Sequence, residues 1–454
     1  MRRFMLPVVF AAAFIGAFNE SFINTALVDI MAEFSIDAGM AQWLVSGYMV
    51  VTAIVVTVVA FLIKCFPFRR LFLVSAAVMA LGSALCMVAP NFPTLLAARL
   101  ASCIGAGFFV PAMMSVTTLL APEGKMASYL AIGNATATVG PAVGPFVAGA
   151  IVTAFGWRFS FIAPLAFVAA VFVAGLFCVH EVGPLEDLKL DGPSFALAAV
   201  GLTLFVLGIG QMTTMFVVGS LSTVAGVALM AVFVMRQERI SNPLLDMAPV
   251  HVRGFMPATA LVFCTMMVAF SMPVLLPLYY ELSAGFSAFM AGALLVLPVI
   301  ANIATAPVAG RIMDRHGEWP LLPGGFLAIA LGATVVAACG ALDVLPGVVA
   351  GSVVALGGVG LTFATCMASG LRRLDRSINA YGVGIMQVLT QAATCIGPSL
   401  LVGIMSAVAA QRQLAGAADP VAQAAGFAAA AFVLAAFSCA AFVGSVLYAR
   451  HARG

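Results

Sequence analysis

Residues 42–63 read Gln42-WLVSGYMVVTAIVVTVVAFL-Ile63, an uninterrupted run without Asp, Glu, Lys or Arg, closed by Lys64. About 20 apolar residues in a helix cross the hydrocarbon core of a bilayer, so this run spans a membrane if its surroundings are of the same kind. They are. The chain is 63% hydrophobic and 8% charged, with a mean hydropathy of +1.16. A soluble protein of 454 residues could not bury that much apolar surface. The apolar runs are long and continuous rather than short and alternating, so the spans are helices and not barrel strands. The expected fold class is all-α, a polytopic membrane protein.

Breaking the chain at charged or Pro/Gly/Asn-rich stretches predicts spans at 5–28, 42–63, 71–90, 94–120, 127–154, 159–179, 193–211, 215–235, 255–280, 286–309, 320–341, 346–370, 379–408 and 424–449. That makes fourteen, of which the seventh and eighth are moderately polar and joined by a few residues. Met1-Arg2-Arg3 ahead of an apolar run imitates a signal peptide, but further spans follow at once, so it reads as an uncleaved first helix. With the N-terminus in the cytoplasm, seventeen of the twenty Lys and Arg fall inside; Arg158 and Arg412 fall outside, and Arg99 lies within a helix. Positive residues mark the cytoplasmic side. The reading is a multi-pass protein of the cell (inner or plasma) membrane with both termini cytoplasmic.

Two cytoplasmic hairpins repeat at an offset of 250 residues: Ala60-FLI-Lys64-CF-Pro67 and Gly310-RIM-Asp314-RH-Gly317. Each follows the second span of its half. The chain therefore divides into a six-helix half over 1–180, a linker with two extra spans over 181–253, and a second six-helix half over 254–454. Duplicated halves about a central site are how alternating-access transporters are built.

With these residues on the page the chain resembles the major facilitator superfamily, and within it the fourteen-helix drug:proton antiporters of the EmrB/QacA type. Gly310 to Gly317 resembles the G-x-L-x-D-R-x-G loop signature. Arg99-LASCI-Gly105-A-Gly107 resembles R-x-x-Q-G-x-G, and Val139-Gly140-Pro141-AV-Gly144-Pro145-FVA-Gly149 resembles the antiporter signature of the fifth helix. Asn19-ESFI-Asn24-TAL with Ala41-Gln42-Trp43 is most similar to a lincomycin-resistance, LmrB-like subgroup. The resemblance covers nearly the whole chain and implies proton-coupled export of drugs. Five positions depart from it: Ser102 and Cys103 replace the Gln and first Gly of the fourth-helix pattern, Lys64 and Pro67 replace the first hairpin's usual Asp and Gly, and Asn19 replaces a first-helix Asp whose charge reappears at Glu20.

Glu20 is the one acid placed well inside a span. A carboxylate in lipid costs roughly 2.5–3.5 kcal/mol on insertion scales, so it faces a bundle interior or a wet cavity, where it can bind and release a proton. Arg99 lies at a similar depth, and the two are expected to pair; the bland alternative is a structural ion pair. Gly133, Ala137, Gly140, Gly144 and Ala148 put one small face on the fifth helix, read as a sealed, pivoting contact between the halves or as ordinary tight packing; Pro141 and Pro145 should bend it. Polar residues inside other spans, Asn19, Asn24, Asn134, Asn302, Gln387 and Gln391, are cavity candidates or interhelical links. Met113 and Met266, with Met114, Met267 and Met272, could line an adaptable apolar site. Arg311, Asp314, Arg315 and Gly317 form a candidate cytoplasmic gate, or a charged loop that fixes topology.

Nine scattered cysteines and four histidines in loops or the tail give no disulfide framework and no metal site. A G-x-x-x-x-G-K-[ST] loop is missing, which disfavours an ATP-driven pump. Neither paired catalytic groups for an intramembrane enzyme nor a filter-like loop for a channel is visible, and a net charge of +3 does not suggest nucleic acid. No cofactor is expected. The expected partners are protons, membrane lipid and a small lipophilic substrate, for a protein working as a monomer. The leading function is proton-coupled export of lipophilic or amphiphilic drugs; a proton- or solute-coupled importer, or less readily a receptor or channel, is the alternative.

Overall fold

The computed structural model describes residues 4–451, apart from 37, 42, 123, 183–184, 186–190, 213–214, 241–242, 287, 320, 376 and 417. Arg2, Arg3, Lys189, Arg376 and Arg453 therefore lie outside the described residues. Twelve helices among them are long and apolar enough to cross a membrane. In chain order the long helices are α1 (Met5–Ser21), α2 (Trp43–Cys65), α3 (Phe68–Met87), α4 (Phe92–Leu120), α5 (Met126–Phe155), α6 (Ile162–Cys178), α7 (Gly192–Gln211), α8 (Phe216–Gln237), α9 (Phe255–Leu282), α10 (Ala288–His316), α11 (Leu321–Ala341), α12 (Leu345–Leu371), α13 (Asn379–Leu414) and α14 (Asp419–His451). Two of these stand apart from the twelve. α1 is a shorter apolar helix, and α5 has thirty residues. α13 and α14 overrun the apolar stretches read from sequence, because a helix does not end where its hydrophobic run ends.

α1 is not one regular helix. It passes into a 3₁₀ turn at Phe22–Ala26 and then into a further α segment, Leu27–Phe34. The α ladder closes with Phe22 N–H on the Phe18 carbonyl, so the Asn19 carbonyl is left without its usual partner. A stretch of 3₁₀ inside a helix often marks a functional hinge, and this one begins two residues after Glu20.

The packing repeats. α1 packs on α4, α5 and α6, α2 packs on α4, and α3 packs on α4 and α6. Eight helices later, α9 packs on α12, α13 and α14, α10 packs on α12, and α11 packs on α12 and α14. The two six-helix halves meet along two seams, α5 against α10 and α2 against α13, and the same shift of eight exchanges one seam for the other. α7 and α8 pack mainly on each other, and α7 also touches α2 and α13. The extra hairpin therefore covers one seam and leaves the other bare.

α7 and α8, read from the sequence as moderately polar, are each long and apolar enough to cross a membrane, and small residues let them pack closely. A Cβ at Gly208 would come within 2.5 Å of the Thr223 nitrogen, and one at Gly226 within 2.5 Å of the Phe205 nitrogen, so the two backbones nearly touch. A clasp holds the open end of this hairpin. Asp191 caps α7 through Ser194 N–H at 3.1 Å and accepts from Arg236 Nε and Nη2 at 2.9 and 3.1 Å. Those Arg236 bonds, followed by the Ser194 bonds, push the Asp191 carboxyl down to about 2. Gln237 then donates to Ser194 Oγ at 2.7 Å and accepts from Leu245 N–H at 3.2 Å, tying the following segment to the hairpin.

Candidate functional site

Arg99 is wholly buried in α4, and a lone guanidinium in a membrane span must find acceptors. Asn19 supplies both: Arg99 Nη1 donates to Asn19 Oδ1 at 2.7 Å, and Nη2 donates to the Asn19 carbonyl at 2.5 Å. The second bond uses the carbonyl freed by the 3₁₀ turn. Phe22 and Tyr48 lie over the guanidinium at 5.1 and 5.3 Å, adding cation–π attraction. Tyr48 in turn donates to the Gly16 carbonyl at 2.9 Å.

The expected Glu20–Arg99 ion pair does not form among the described residues. Asn19 already fills the guanidinium fork from the neighbouring position on the same helix. Glu20 stays half-buried and makes no hydrogen bond to a described residue, although the Arg99 charge lies within electrostatic reach. Arg99 stands nearby with its two terminal nitrogens already bonded to Asn19.

Other candidates divide by burial. Asn134, Asn302 and Gln391 are half-buried and their side chains make no hydrogen bond to a described residue. Polar side chains sealed in a core are normally bonded; these three are not sealed. Gln387 is 7% exposed and its Oε1 has no partner among the described residues. The side chain of Asn24 lies outside the described residues. The methionine reading needs correction: Met113 is fully buried and Met266 only 7% exposed. Met113 fills the groove at Gly133, where its sulfur would lie 2.6 Å from an added Cβ; it is packing, not cavity lining.

The small face of α5 also lies elsewhere than between the halves. A Cβ at Gly140 would meet Phe18 N at 2.6 Å and Phe14 O at 2.7 Å, and one at Gly144 would meet Ser21 Oγ at 2.6 Å. Gly140 and Gly144 therefore clamp α1 within their own half, holding the Asn19–Glu20 turn in place. Pro145 has no N–H for the Pro141 carbonyl, and Ser21 donates to that carbonyl at 3.1 Å, so α5 continues unbroken through both prolines to Phe155. Gly149 meets nothing within 4 Å.

The halves touch at the ends of the seams. Asp314, at the end of α10, accepts from Ala127 N–H at 3.1 Å and Ser128 N–H at 2.8 Å, capping the first turn of α5 in the other half. An anion at a helix N-terminus is favoured by the orphan N–H groups and the helix dipole. Arg372, from the end of α12, pairs with the same carboxylate. One turn away, a Cβ at Gly310 would meet Ser128 Cα at 2.7 Å. Arg311 and Arg315 are exposed and bind no described residue, so within this cluster the contact between halves belongs to Asp314 and Gly310; Gly317 serves as the left-handed residue, φ 78°, that ends α10. The related seam is built differently. Lys64 replaces the acid and lies over the Tyr381 ring at 4.3 Å, while a Cβ at Gly384 would approach Ala60 at 3.4 Å.

Sequence reasoning missed Arg372, Tyr381 and one whole cluster. At the opposite end of the bundle Glu33 accepts from Trp157 Nε1 at 2.5 Å and from Arg158, and Arg158 Nη2 donates to the Ala89 carbonyl at 2.9 Å. Those bonds, Arg158 first, hold the Glu33 carboxyl below its usual range. Trp157 and Glu33 stand 124 residues apart in the sequence, a separation that no local pattern bridges.

A match to the Major Facilitator Superfamily covers residues 9–398. The lincomycin resistance protein LmrB of Bacillus subtilis (strain 168) is 29% identical over 414 residues, 89% of this chain and 86% of the relative. The riboflavin transporter RibZ of Clostridioides difficile (strain 630) is 24% identical over 326 residues, 71% of this chain and 70% of the relative. In fold, the crystal structure of the human organic anion transporter MFSD10 (TETRAN) superposes with a TM-score of 0.70 at 13% identity, over 98% of this chain and 99% of that one. The family match runs from α1 through both seams to the middle of α13, and the chain belongs to the Major Facilitator Superfamily, a family of multi-pass membrane transporters.

Proposed function

We propose that this chain is a proton-coupled exporter of lipophilic or amphiphilic compounds, an antiporter working by alternating access across fourteen spans with both termini in the cytoplasm. One observation carries the reading: Glu20 is a half-buried carboxyl inside a span, bonded to no described residue and set at a helix break. On the charge distribution the Asp314 end is cytoplasmic, so the arrangement with both seams closed there faces outward. A proton taken up by Glu20 from outside removes its charge and favours release of substrate to that side. The Asp314 and Lys64 contacts then part, the proton leaves to the cytoplasm, and substrate binds the ionised site. The glycine signature of α5 and the lincomycin-resistance name of a relative support export over import. We read the chain as working as a monomer and without ATP.

The test is ethidium movement in proteoliposomes with an imposed proton gradient. Wild type should drive the dye against its gradient while protons run down theirs, and Glu20→Gln should lose at least nine-tenths of that rate. Full-rate driven transport by Glu20→Gln would remove the carboxyl from the mechanism, and dye moving in the same direction as protons would favour the importer.

A further inference from the structure

The hairpin of α7 and α8 has no role in the export cycle described above, yet it covers one of two related seams. Beneath it lies a cavity of about 170 Å³ lined by Ala53 of α2, Phe205 and Val206 of α7, Val227 and Met230 of α8, and Gln391 of α13. Val227 is 52% exposed on the outer face of the hairpin, whereas Ala53 is 1% exposed, so the cavity runs from the bilayer side inward to α2. Residues 388–392 of α13 are all half-buried. Five consecutive residues go more than once round a helix, so this segment is partly open on every side. The wall is apolar except for Gln391, whose side-chain amide makes no hydrogen bond to a described residue.

We propose that this cavity is a lateral site where the apolar part of an amphiphilic substrate rests on its way from the bilayer, with Gln391 hydrogen-bonding the polar end. The proposal rests on the export reading for its substrate class. The volume suits a ring or a short alkyl chain rather than a whole compound, since sites for drug-sized ligands are about 300–1,000 Å³. An unsatisfied amide beside an apolar wall selects an amphiphile over a pure hydrocarbon, because a polar group in such surroundings seeks a partner.

The full chain in phospholipid vesicles, cross-linked with an alkyltrimethylammonium carrying a diazirine at its chain end, tests this. Adducts should fall on residues 202–206 and 388–392, drop at least threefold with excess unlabelled dodecyltrimethylammonium, and drop at least fivefold in Ala392→Phe, which fills the cavity. Gln391→Leu should weaken the competition at least threefold; it removes no volume and serves if Ala392→Phe does not fold. Adducts confined to the outward face of α8, at Leu221 and Val224, would overturn the proposal, as would cavity adducts that excess amphiphile does not displace, the mark of a resident lipid. Loss of proton-driven ethidium transport with the cross-link intact would defeat the export reading and leave the site standing.

Discussion

Replacing Asp314 by Asn removes one charge from the contact that holds the α5–α10 seam shut. Asp314 accepts two backbone N–H bonds from the first turn of α5 and pairs with Arg372, and its side chain is only 6% exposed. An amide keeps the shape and one acceptor oxygen. It forfeits the charge assistance, which makes such bonds roughly twice as strong as neutral ones, and the attraction to the helix terminus, worth about 0.3–1 kcal/mol. Arg372 remains one-third exposed and recovers solvation when freed, so the ion pair itself adds at most about 1 kcal/mol. Together the loss comes to about 2 kcal/mol, all of it borne by the arrangement closed at this end, which shifts the closed-to-open ratio about thirtyfold. Spin labels at Lys125 and His316, in a chain freed of its native cysteines, read that ratio as a distance distribution. The wild type should give a dominant short distance and Asp314→Asn a large longer one. A ratio changed by less than threefold would refute the assignment of Asp314 as the tie between halves.

The companion seam should respond too: Tyr381→Leu removes a cation–π contact from a buried ring, worth about 2 kcal/mol when desolvated, so the same distance measurement across α2 and α13 should shift by at least about threefold, and an unchanged distribution would take this contact out of the seam. Gly140→Val puts side-chain atoms against the backbone of Phe14 and Phe18; overpacking of this kind costs about 1–3 kcal/mol, so the yield of folded protein should fall, whereas Gly149→Ala, with open space around it, should leave yield unchanged in the same fluorescence size-exclusion assay. The Glu33 clamp has a pH sign. Its carboxyl is held below the usual range in the folded chain, so its contribution is present above the unfolded value of about 4.3 and is lost as pH falls through the lower folded one. The stability gap between wild type and Glu33→Gln in thermal melting should therefore be full and flat above about pH 4.3 and should close as pH falls below it; a gap that does not change with pH would contradict the clamp.

The membrane class and the halves could be read from the chain because hydrophobic run length and Lys/Arg placement are properties of single segments. The 250-residue repeat could be read for the same reason, and Asp314 and Lys64 occupy corresponding places on the two seams. What could not be read was which polar group satisfies which. Glu20 and Arg99 share a depth, but the 3₁₀ turn frees the Asn19 carbonyl, and one neutral residue takes both terminal nitrogens of the guanidinium. The glycine face of α5 announced a close approach without saying to which helix; the answer, α1, depends on tertiary packing. Met113 read as a cavity residue because composition cannot tell a groove filler from a cavity wall. The break in α1 had no marker such as an internal proline, so its consequence for Asn19 was invisible until the backbone was seen.

The account turns on Glu20 carrying the coupled proton, and the most direct measurement is proton flux itself. Proteoliposomes containing a trapped pH indicator, given ethidium on one side and no imposed gradient, should show dye-driven proton movement in the opposite direction in the wild type. In Glu20→Gln, which mimics the protonated, substrate-releasing carboxyl, added dye should produce no proton signal although the variant folds and reconstitutes to the wild-type level. A proton flux of wild-type size in Glu20→Gln would contradict the account.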